Sequence, residues 1–336
     1  MADQAVNAIS KFHQSEAHLR AIAEATVGHP VRDFACRELA GGMCNAVYRL
    51  SADGRDMALK IAPSHDVRVM RHEQDILRTE AEMLRLFERE LTIPVPRLLK
   101  WDDSETLCAA PFLVMSWVEG KALSVLEPKP SQEQIGEIKR EVGRISRQIC
   151  TLPAPHFGIP GIPESWRENN CDAMLLLVGW LLQDAQESGV VLPEGTEEEL
   201  PRRIETLRPV LNQATAPCHI HTDTWEGNLM VSDGRLTGLV DHAAIYWGDP
   251  LMSHDFHDFG KEPRRDFCEG FGKTTFTEEE WLRISIYRLW QRLGMMVERG
   301  FRGYEDPGQY AWVTQTFTDE MENLRQRMRH WEAARQ

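Results

Sequence analysis

The sequence predicts an α+β chain with two lobes, a small lobe built on an antiparallel sheet with one long helix and a larger, mainly helical lobe. Two observations predict this division. Short apolar runs separated by turns fill much of the first 117 residues, whereas long segments with helical apolar spacing dominate the remainder. We therefore expect an N-terminal lobe over residues 1–117 and a C-terminal lobe over residues 118–336.

The small lobe is expected to begin with a helix from Ser15 to Val27, because Ser15 can cap it and apolar residues recur at helical spacing. A second, long helical segment runs from Val67 to Leu91 and is ended by prolines. Strands are expected on both sides of that helix. They are Phe34 to Leu39, Ala46 to Leu50, Met57 to Ile61, Arg97 to Trp101 and Pro111 to Met115.

Two features of the small lobe could contact an anion. Gly41 and Gly42 lie between the first two strands, where adjacent glycines let backbone N–H groups approach phosphates. Lys60 lies inside the third strand, so its ammonium must either reach solvent or find an anion. On the long helix, Glu80 and Glu73 are competing candidates to pair with Lys60.

The larger lobe is expected to be helical around one small hairpin. Helical spacing is present over residues 131–152, 171–189, 197–214, 278–299 and 307–332. The stretch from Leu152 to Asn170 is rich in Pro and Gly and is expected to be a loop. The hairpin comprises two apolar runs about the turn Ser232-Asp233-Gly234.

The segment from His221 to Asn228, followed by Val240-Asp241-His242, is the most informative part of the chain. The intervening hairpin would return Asp241 to the neighbourhood of Asp223 and Asn228. Phosphoryl transfer from a magnesium nucleotide needs one carboxylate to deprotonate the attacking hydroxyl, and an amide and a second carboxylate to hold the metal. The pattern thus predicts a small-molecule kinase, with Asp223 catalytic and Asn228 and Asp241 as metal ligands.

Composition narrows the class of partner. Acidic residues outnumber basic ones by 52 to 38, a net charge of −14, which argues against nucleic acid and anionic membranes as partners. Neither a signal peptide nor an apolar run of membrane-spanning length is present, and the seven cysteines are scattered without a Cys-x-x-Cys pair. These features predict a cytoplasmic protein with reduced thiols.

Taken together, these residues resemble the aminoglycoside phosphotransferase family, a branch of the protein-kinase-like fold, over roughly residues 33 to 300. The resemblance is carried by five separated matches in the family's order. They are Ala58-Leu59-Lys60, Glu80, Pro111 to Met115, His221 to Asn228 with Val240 to His242, and Gly248-Asp249-Pro250. These matches are specific for the fold and for phosphotransfer, and they are not specific for the substrate.

The resemblance implies a role for each matched residue. Asp223 would be the catalytic base, and Asn228 and Asp241 would bind Mg²⁺. Lys60 would contact the phosphates of ATP, or alternatively GTP, with Glu80 positioning it. The exit of the fifth strand would be the hinge between the lobes, where Ser116 and Val118 offer backbone groups to the adenine. His221 and Asp249 would brace loops.

Three residues depart from the family pattern: Thr222 replaces a usual glycine, Thr224 a usual apolar residue, and His242 a usual aromatic residue. A nucleotide-binding pseudokinase that acts as a sensor or scaffold therefore stays as an alternative. A metal hydrolase using His254 and His257 is a further alternative, against which we favour a simple surface location for both histidines.

The acceptor is expected to be a small hydroxylated molecule, an amine-bearing antibiotic or metabolite, so that a role in antibiotic resistance or in metabolism stays open. The resemblance implies that residues 155–190 and 253–305 form its pocket. Carboxylates that follow the predicted metal ligand Asp241 in the sequence predict a negative rim that attracts a cation. They are Asp255, Asp258, Glu262, Asp266 and Glu269.

Overall fold

The computed structural model describes residues 8–39, 44–257, 259, 262–303 and 307–335. The predicted phosphate-loop residues Gly41 and Gly42, and Asp258 of the predicted rim, lie outside these ranges. The described helices are α1 Glu16–Val27, α2 Ile76–Glu90, α3 Gln132–Ile149, α4 Asn170–Ser188, α5 Thr196–Thr206, α6 Arg208–Leu211, α7 Arg265–Phe271, α8 Glu278–Val297, α9 Arg299–Arg302 and α10 Pro307–Ala333. The described strands are β1 Phe34–Glu38, β2 Ala46–Ala52, β3 Arg55–Ile61, β4 Leu98–Asp102, β5 Phe112–Ser116, β6 Lys121–Ala122, β7 Phe157–Ile159, β8 Ile162–Arg167, β9 Cys218–His221, β10 Leu229–Ser232, β11 Arg235–Leu239 and β12 Ile245–Gly248.

The small lobe is a five-stranded antiparallel sheet in the order β1-β2-β3-β5-β4, with a helix on each face. Leu59 of the central strand β3 belongs to the apolar core under α1, whereas Ala58 packs with α2 on the other face. Alternate residues of a strand share a face, so Lys60 lies on the α2 side with Ala58. The sheet thereby directs Lys60 towards the helix that carries Glu80.

The predicted long helix begins later than expected. Helix α2 begins at Ile76, and only a short 3₁₀ turn, Arg71–Glu73, precedes it in the stretch predicted to be helical from residue 67. Asp75 adopts a left-handed φ of 51°, which interrupts the helix. The preceding segment contacts the larger lobe instead, where Arg71 is paired with Asp184 of α4. A tertiary contact therefore overrides the helical pattern.

The larger lobe contains more sheet than the sequence predicts. The expected hairpin is confirmed as β10 and β11, and β6 adds a third strand by pairing with β10. A second sheet, in the order β8-β7-β12-β9, was not predicted, and two of its strands lie in the stretch expected to be a loop. These strands are only three to six residues long and pair across the chain, so periodicity gives little signal of them.

The predicted helices of the larger lobe are observed with shifted ends, and α3, α4, α8 and α10 enclose its core. None of the helices in the described ranges is long and apolar enough to cross a bilayer. Each of the seven cysteines, all within those ranges, carries a free thiol. The boundary between residues 117 and 118 stays a prediction, although β6, just after it, is part of a sheet of the larger lobe.

Candidate active site

Lys60 connects the small lobe to Asp241 of the larger lobe. Its Nζ donates to both carboxylate oxygens of Glu80, each at 2.8 Å, and to Oδ1 of Asp241 at 2.7 Å. Burial alone would lower the pKa of Lys60, but the carboxylates of Asp241 and Glu80 raise it above its ordinary value. The lysine is therefore a fixed cation beside the predicted catalytic segment, which comprises His221 to Asn228 and Val240 to His242. Glu73 does not take part, because it pairs with Arg302.

Asp223 and Asn228 are joined directly. The side-chain amide of Asn228 donates to the backbone oxygen of Asp223 at 2.8 Å and to its Oδ2 at 2.9 Å. The backbone N–H of Asp223 donates to Nδ1 of His221 at 3.2 Å, as expected of a histidine that braces the loop. Burial raises the pKa of Asp223 to about 6, which suits a carboxylate that accepts a proton near neutral pH.

Asp241 follows β11 in a left-handed conformation, with φ at 66°. Such a backbone is unfavourable for a residue other than glycine and persists where surrounding contacts enforce it. Two contacts are evident here: the ion pair with Lys60, and the bond from the next backbone N–H, that of His242, to Oε1 of Glu80 at 3.1 Å. Burial would raise the pKa of Asp241, but the Lys60 cation lowers it below its ordinary value, so the side chain is an anion.

Each departure from the family pattern has a structural explanation. Thr222 does not need a glycine's freedom, because its φ is not in the left-handed region. Its backbone N–H and Oγ1 both donate to the Ala244 oxygen, at 3.0 and 3.1 Å. Thr224 is fully buried, but its Oγ1 donates to Asp255 at 2.9 Å. His242 packs edge-to-face against Phe87 with ring centroids 5.4 Å apart, as an aromatic residue would.

The site has side-chain oxygen atoms that could act as ligands of a magnesium ion. Because the amide nitrogen of Asn228 is turned to Asp223, its Oδ1 is the atom left for a cation, and Asp241 contributes carboxylate oxygens. Within the described ranges, no three His, Cys, Asp or Glu side chains converge into a cage. Two oxygen ligands without a cage fit Mg²⁺, which usually binds one or two protein oxygens together with substrate phosphates.

One cavity of about 560 Å³ brings these groups together. Lys60, Asp223, Asn228 and Asp241 form part of its wall, and α8, α10 and the segment before α2 contribute further residues. Glu80 does not line the cavity, because it lies fully buried behind Lys60. The cavity therefore places a candidate base, a cation and two candidate metal ligands around one space.

The chain is similar in sequence to known proteins. The family model described as "Phosphotransferase enzyme family" matches residues 24–283. The chain belongs to this family. Among curated relatives, a probable ketoamine kinase of Vibrio vulnificus is 25% identical over 263 residues, covering 76% of this chain and 83% of that protein. An aminoglycoside 3'-phosphotransferase of Enterococcus faecalis is 24% identical over 275 residues, covering 78% and 95%. The predicted enzyme class, a small-molecule kinase, is thereby confirmed.

Solved structures confirm the predicted fold of this phosphotransferase. A candidate fructosamine-3-kinase from Haemophilus somnus superposes with a TM-score of 0.65 at 17% identity, covering 90% of this chain and 96% of the other. The streptomycin–ATP complex of the aminoglycoside phosphotransferase APH(2")-IIa gives a TM-score of 0.56 at 16% identity, covering 94% and 97%. The two-lobe, protein-kinase-like architecture is therefore shared over nearly the whole chain.

The predicted hinge residues of the phosphotransferase, Ser116 and Val118, are both partly buried. Ser116 is tied to Arg97 twice, since its backbone N–H donates to the Arg97 oxygen and its Oγ accepts from the Arg97 N–H, both at 2.9 Å. Val118 packs against Gly238 of β11, where an added Cβ would lie 2.6 Å from a Val118 methyl. Neither residue lines the cavity. Adenine binding at these residues stays a prediction, and it cannot use the Ser116 N–H in this arrangement.

The predicted acidic rim is wrong as a feature of the cavity. Asp255 is fully buried and accepts from Lys139 at 2.9 Å, and Asp266 and Glu269 are paired with Arg140 of α3. None of the described members of the predicted rim lines the cavity. The charges of Asp255, Asp266 and Glu269 instead connect α7 and the segment before it to α3.

His254 and His257 are not surface residues, so that interpretation is also wrong. Both are buried, and His254 lines the cavity, where Nδ1 lies 3.2 Å from the backbone oxygen of Thr222. Burial lowers the pKa of His257 to about 3, so that ring is neutral.

The sequence did not predict the aromatic side chains that line the cavity, although Trp225 lies within the motif.

Proposed function

We propose that this chain is a Mg²⁺-dependent O-phosphotransferase that transfers the γ-phosphoryl group of ATP to a hydroxyl of a small molecule. The observation that carries the proposal is the convergence of Asp223, Asn228, Asp241 and Lys60 on one cavity. Phosphoryl transfer depends mainly on positioning and charge stabilisation, and these four side chains supply both. GTP is an alternative donor.

The residues would divide the work as follows. Asp223 accepts the proton of the attacking hydroxyl of the acceptor. The oxygen of that hydroxyl forms a bond to the γ-phosphorus as the bond between the γ-phosphorus and the ADP oxygen breaks. Lys60 contacts the donor's phosphates, and Glu80 holds Lys60 in place. Asn228 and Asp241 would bind Mg²⁺, which neutralises phosphate charge when bound. Backbone groups near Ser116 and Val118, and those of Gly41 and Gly42, would complete the nucleotide site.

The proposal also extends to the acceptor, which we expect to carry an amine. The names of the two curated relatives, a ketoamine kinase and an aminoglycoside phosphotransferase, support an amine-bearing acceptor. The acidic rim that suggested a cation from the sequence gives no support, because its described members lie away from the cavity.

The test is transfer of ³²P from γ-labelled ATP to acceptors of several classes, with Mg²⁺ varied. Asp241→Ala should abolish transfer at any Mg²⁺ concentration, because the anionic ligand is lost. Asp319→Ala, an exposed carboxylate of α10, is the matched control and should behave as wild type. Nucleotide binding by the wild type without transfer to any acceptor would instead favour the pseudokinase alternative.

A further inference from the structure

The cavity that contains the candidate catalytic groups is lined in part by aromatic side chains. Five aromatic side chains line it together with aliphatic and methionine side chains such as Leu181 and Met70. They are Trp225, Tyr246, Phe259, Trp290 and Trp312. They come from four separate parts of the chain, namely the catalytic segment, β12, the stretch before α7 and the last long helices. Aromatic rings in a concave site recognise apolar surface.

Trp225 is positioned by the catalytic segment itself. It lies two residues after Asp223, and its indole covers Gly227, where an added Cβ would lie 2.1 Å from the ring. The absence of a side chain at Gly227 is therefore what allows the ring to lie there. The Trp225 side chain is 46% exposed, and Trp312 is 45% exposed, which is unusual for residues of this size. Both large rings thus present apolar surface that no part of the described protein covers.

The deeper part of the wall is rigid and leaves room. Trp290 meets Tyr246 edge-to-face with ring centroids 4.8 Å apart. Three small residues, Ala243, Ala244 and Gly294, also line the wall. An added Cβ at Gly294 would meet only one atom, at 3.9 Å, so this helix surface is open. Fixed rings next to small residues form a slot in which an apolar body could lie.

The charged side chains at this end of the cavity interact with one another. Glu73 and Arg302 form an ion pair in which both side chains are buried. Glu298, one turn before Arg302, also acts on the Arg302 cation. The remaining carboxylates of the wall, Asp223 and Asp241, belong to the transfer chemistry. A polycation would need several carboxylates to receive its amines, and the described part of the wall has only these four carboxylates.

We propose that the acceptor is a hydroxylated molecule with an extended apolar or aromatic body, which binds against the wall formed by Trp225, Tyr246, Trp290 and Trp312. The inference rests on the proposed function, since it assigns the acceptor class of the same site. The hydroxyl is presented to Asp223 while the body covers the exposed rings. A polycationic aminoglycoside is not the acceptor.

The test uses the full chain with MgATP and three hydroxylated probes: chloramphenicol, which is neutral and aromatic; erythromycin, a macrolactone; and kanamycin A, a polycation. Phosphorylated product is followed by mass, and binding by quenching of tryptophan fluorescence. We expect product from chloramphenicol or erythromycin, with a KM that changes less than about twofold between 50 and 500 mM salt. Product from kanamycin A alone, with a KM that rises with salt, would overturn the inference and leave the proposed function intact.

Variants separate recognition by the rings from a general effect on folding. Trp225→Ala should raise the KM of the apolar acceptor at least about tenfold, with a smaller change in kcat, because contact area is lost. Trp225→Phe should recover most of the affinity. Trp331→Ala, a tryptophan of α10 that does not line the cavity, is the matched control and should leave KM unchanged. Equal KM values for Trp225→Ala and the control would overturn the assignment of the wall. Trp225-dependent quenching without any phosphorylated product would overturn the phosphotransfer proposal, and the acceptor assignment would fall with it.

Discussion

Lys60 contacts two carboxylates at once, Glu80 from α2 and Asp241 from the end of β11. Because the lysine is buried, each carboxylate affects how the other is held. Residues that share a partner in this way should not behave additively when they are mutated. The role of Glu80 can therefore be separated from that of other acidic residues on the same helix.

We expect Lys60→Ala to raise the KM for ATP and to lower kcat, and Glu80→Ala to do the same more mildly. In a double-mutant cycle on kcat/KM, the two changes should couple by about 0.5–3 kcal/mol. Glu82→Ala, an exposed carboxylate of the same helix, is the control partner and should be additive with Lys60→Ala. Additivity of Glu80 as well would show that the observed ion pair has no part in turnover.

Asp223 is the residue on which proton transfer depends in the proposal. Asp223→Asn should lower kcat by about 10²–10⁴-fold, because the amide cannot accept the proton, while ATP affinity measured by calorimetry stays within about threefold. The control is Asp233→Asn in the hairpin turn, where φ is 49° and asparagine is well tolerated. Wild-type turnover in Asp223→Asn, with chemistry rate-limiting, would remove Asp223 from the mechanism.

At the scale of elements, the catalytic segment is connected to helix α3 through a buried carboxylate. Asp255 illustrates this, since its carboxylate accepts from Lys139 of α3 and from Thr224 of the catalytic segment, both at 2.9 Å. Such buried ion pairs leave an uncompensated charge when one partner is removed. The helical core thus positions the catalytic segment through charge as well as through packing.

Helices α5 and α10 are joined by a different kind of ion pair. Glu199 of α5 accepts two bonds from the Arg325 guanidinium, at 2.7 and 2.5 Å, and a further bond from Arg203. Hydrogen bonds from Arg325 lower the pKa of Glu199 to about 2, against an ordinary value of 4.5. Because the pKa is depressed in the folded state, the stabilisation is fully present above about pH 4.5 and is lost as the pH falls towards 2.

Glu199→Gln should therefore lower the free energy of unfolding by about 1 kcal/mol at pH 7, an amount kept small because the partner Arg325 is partly solvated. The difference from wild type should shrink as the pH falls from 4.5 towards 2. Urea denaturation at a series of pH values measures this. Glu198→Gln, an exposed neighbour on the same helix, is the control. A difference that does not depend on pH would show that the ion pair is not its source.

At the scale of the whole molecule, the segment between β3 and α2 fastens the small lobe to the large one. Asp184 of α4, whose side chain is only 1% exposed, accepts from the Arg71 backbone N–H at 2.9 Å and pairs with its guanidinium. Arg71 also pairs with Glu187 one turn later, but that side chain is 36% exposed. The same arginine therefore has a buried partner and a solvated one.

Asp184→Ala should lower the free energy of unfolding by about 3–5 kcal/mol, because it leaves a partly buried guanidinium without its buried partner. Glu187→Ala should cost less than about 1 kcal/mol, since exposed ion pairs contribute little. Hydrogen exchange should show residues 62–75 opening first in Asp184→Ala. Similar losses in both variants, or protection of this segment equal to wild type, would contradict its role as the fastening between lobes.

The sequence by itself determined the two-lobe class, most of the helices and strands, and the catalytic motif. These follow from local patterns: alternation along β3, helical spacing along α3 or α8, and the fixed order of Asp223, Asn228 and Asp241. Local patterns are reliable where each residue's environment is set by its near neighbours along the chain. The family resemblance added the candidate roles of Lys60 and Glu80.

Only the tertiary structure decided which partners these residues have. The sequence favours Glu80 and leaves Glu73 open as a competitor. In the structure Glu73 pairs with Arg302, 229 residues away, and Glu80 pairs with Lys60. In the sequence the acidic residues after the motif resemble a charged rim. In the structure Asp255 is paired with Lys139, which lies 116 residues away in the chain. The aromatic wall is likewise assembled from separate parts of the chain. Charge and apolar surface act through space, so their effect depends on pairings that no local pattern encodes.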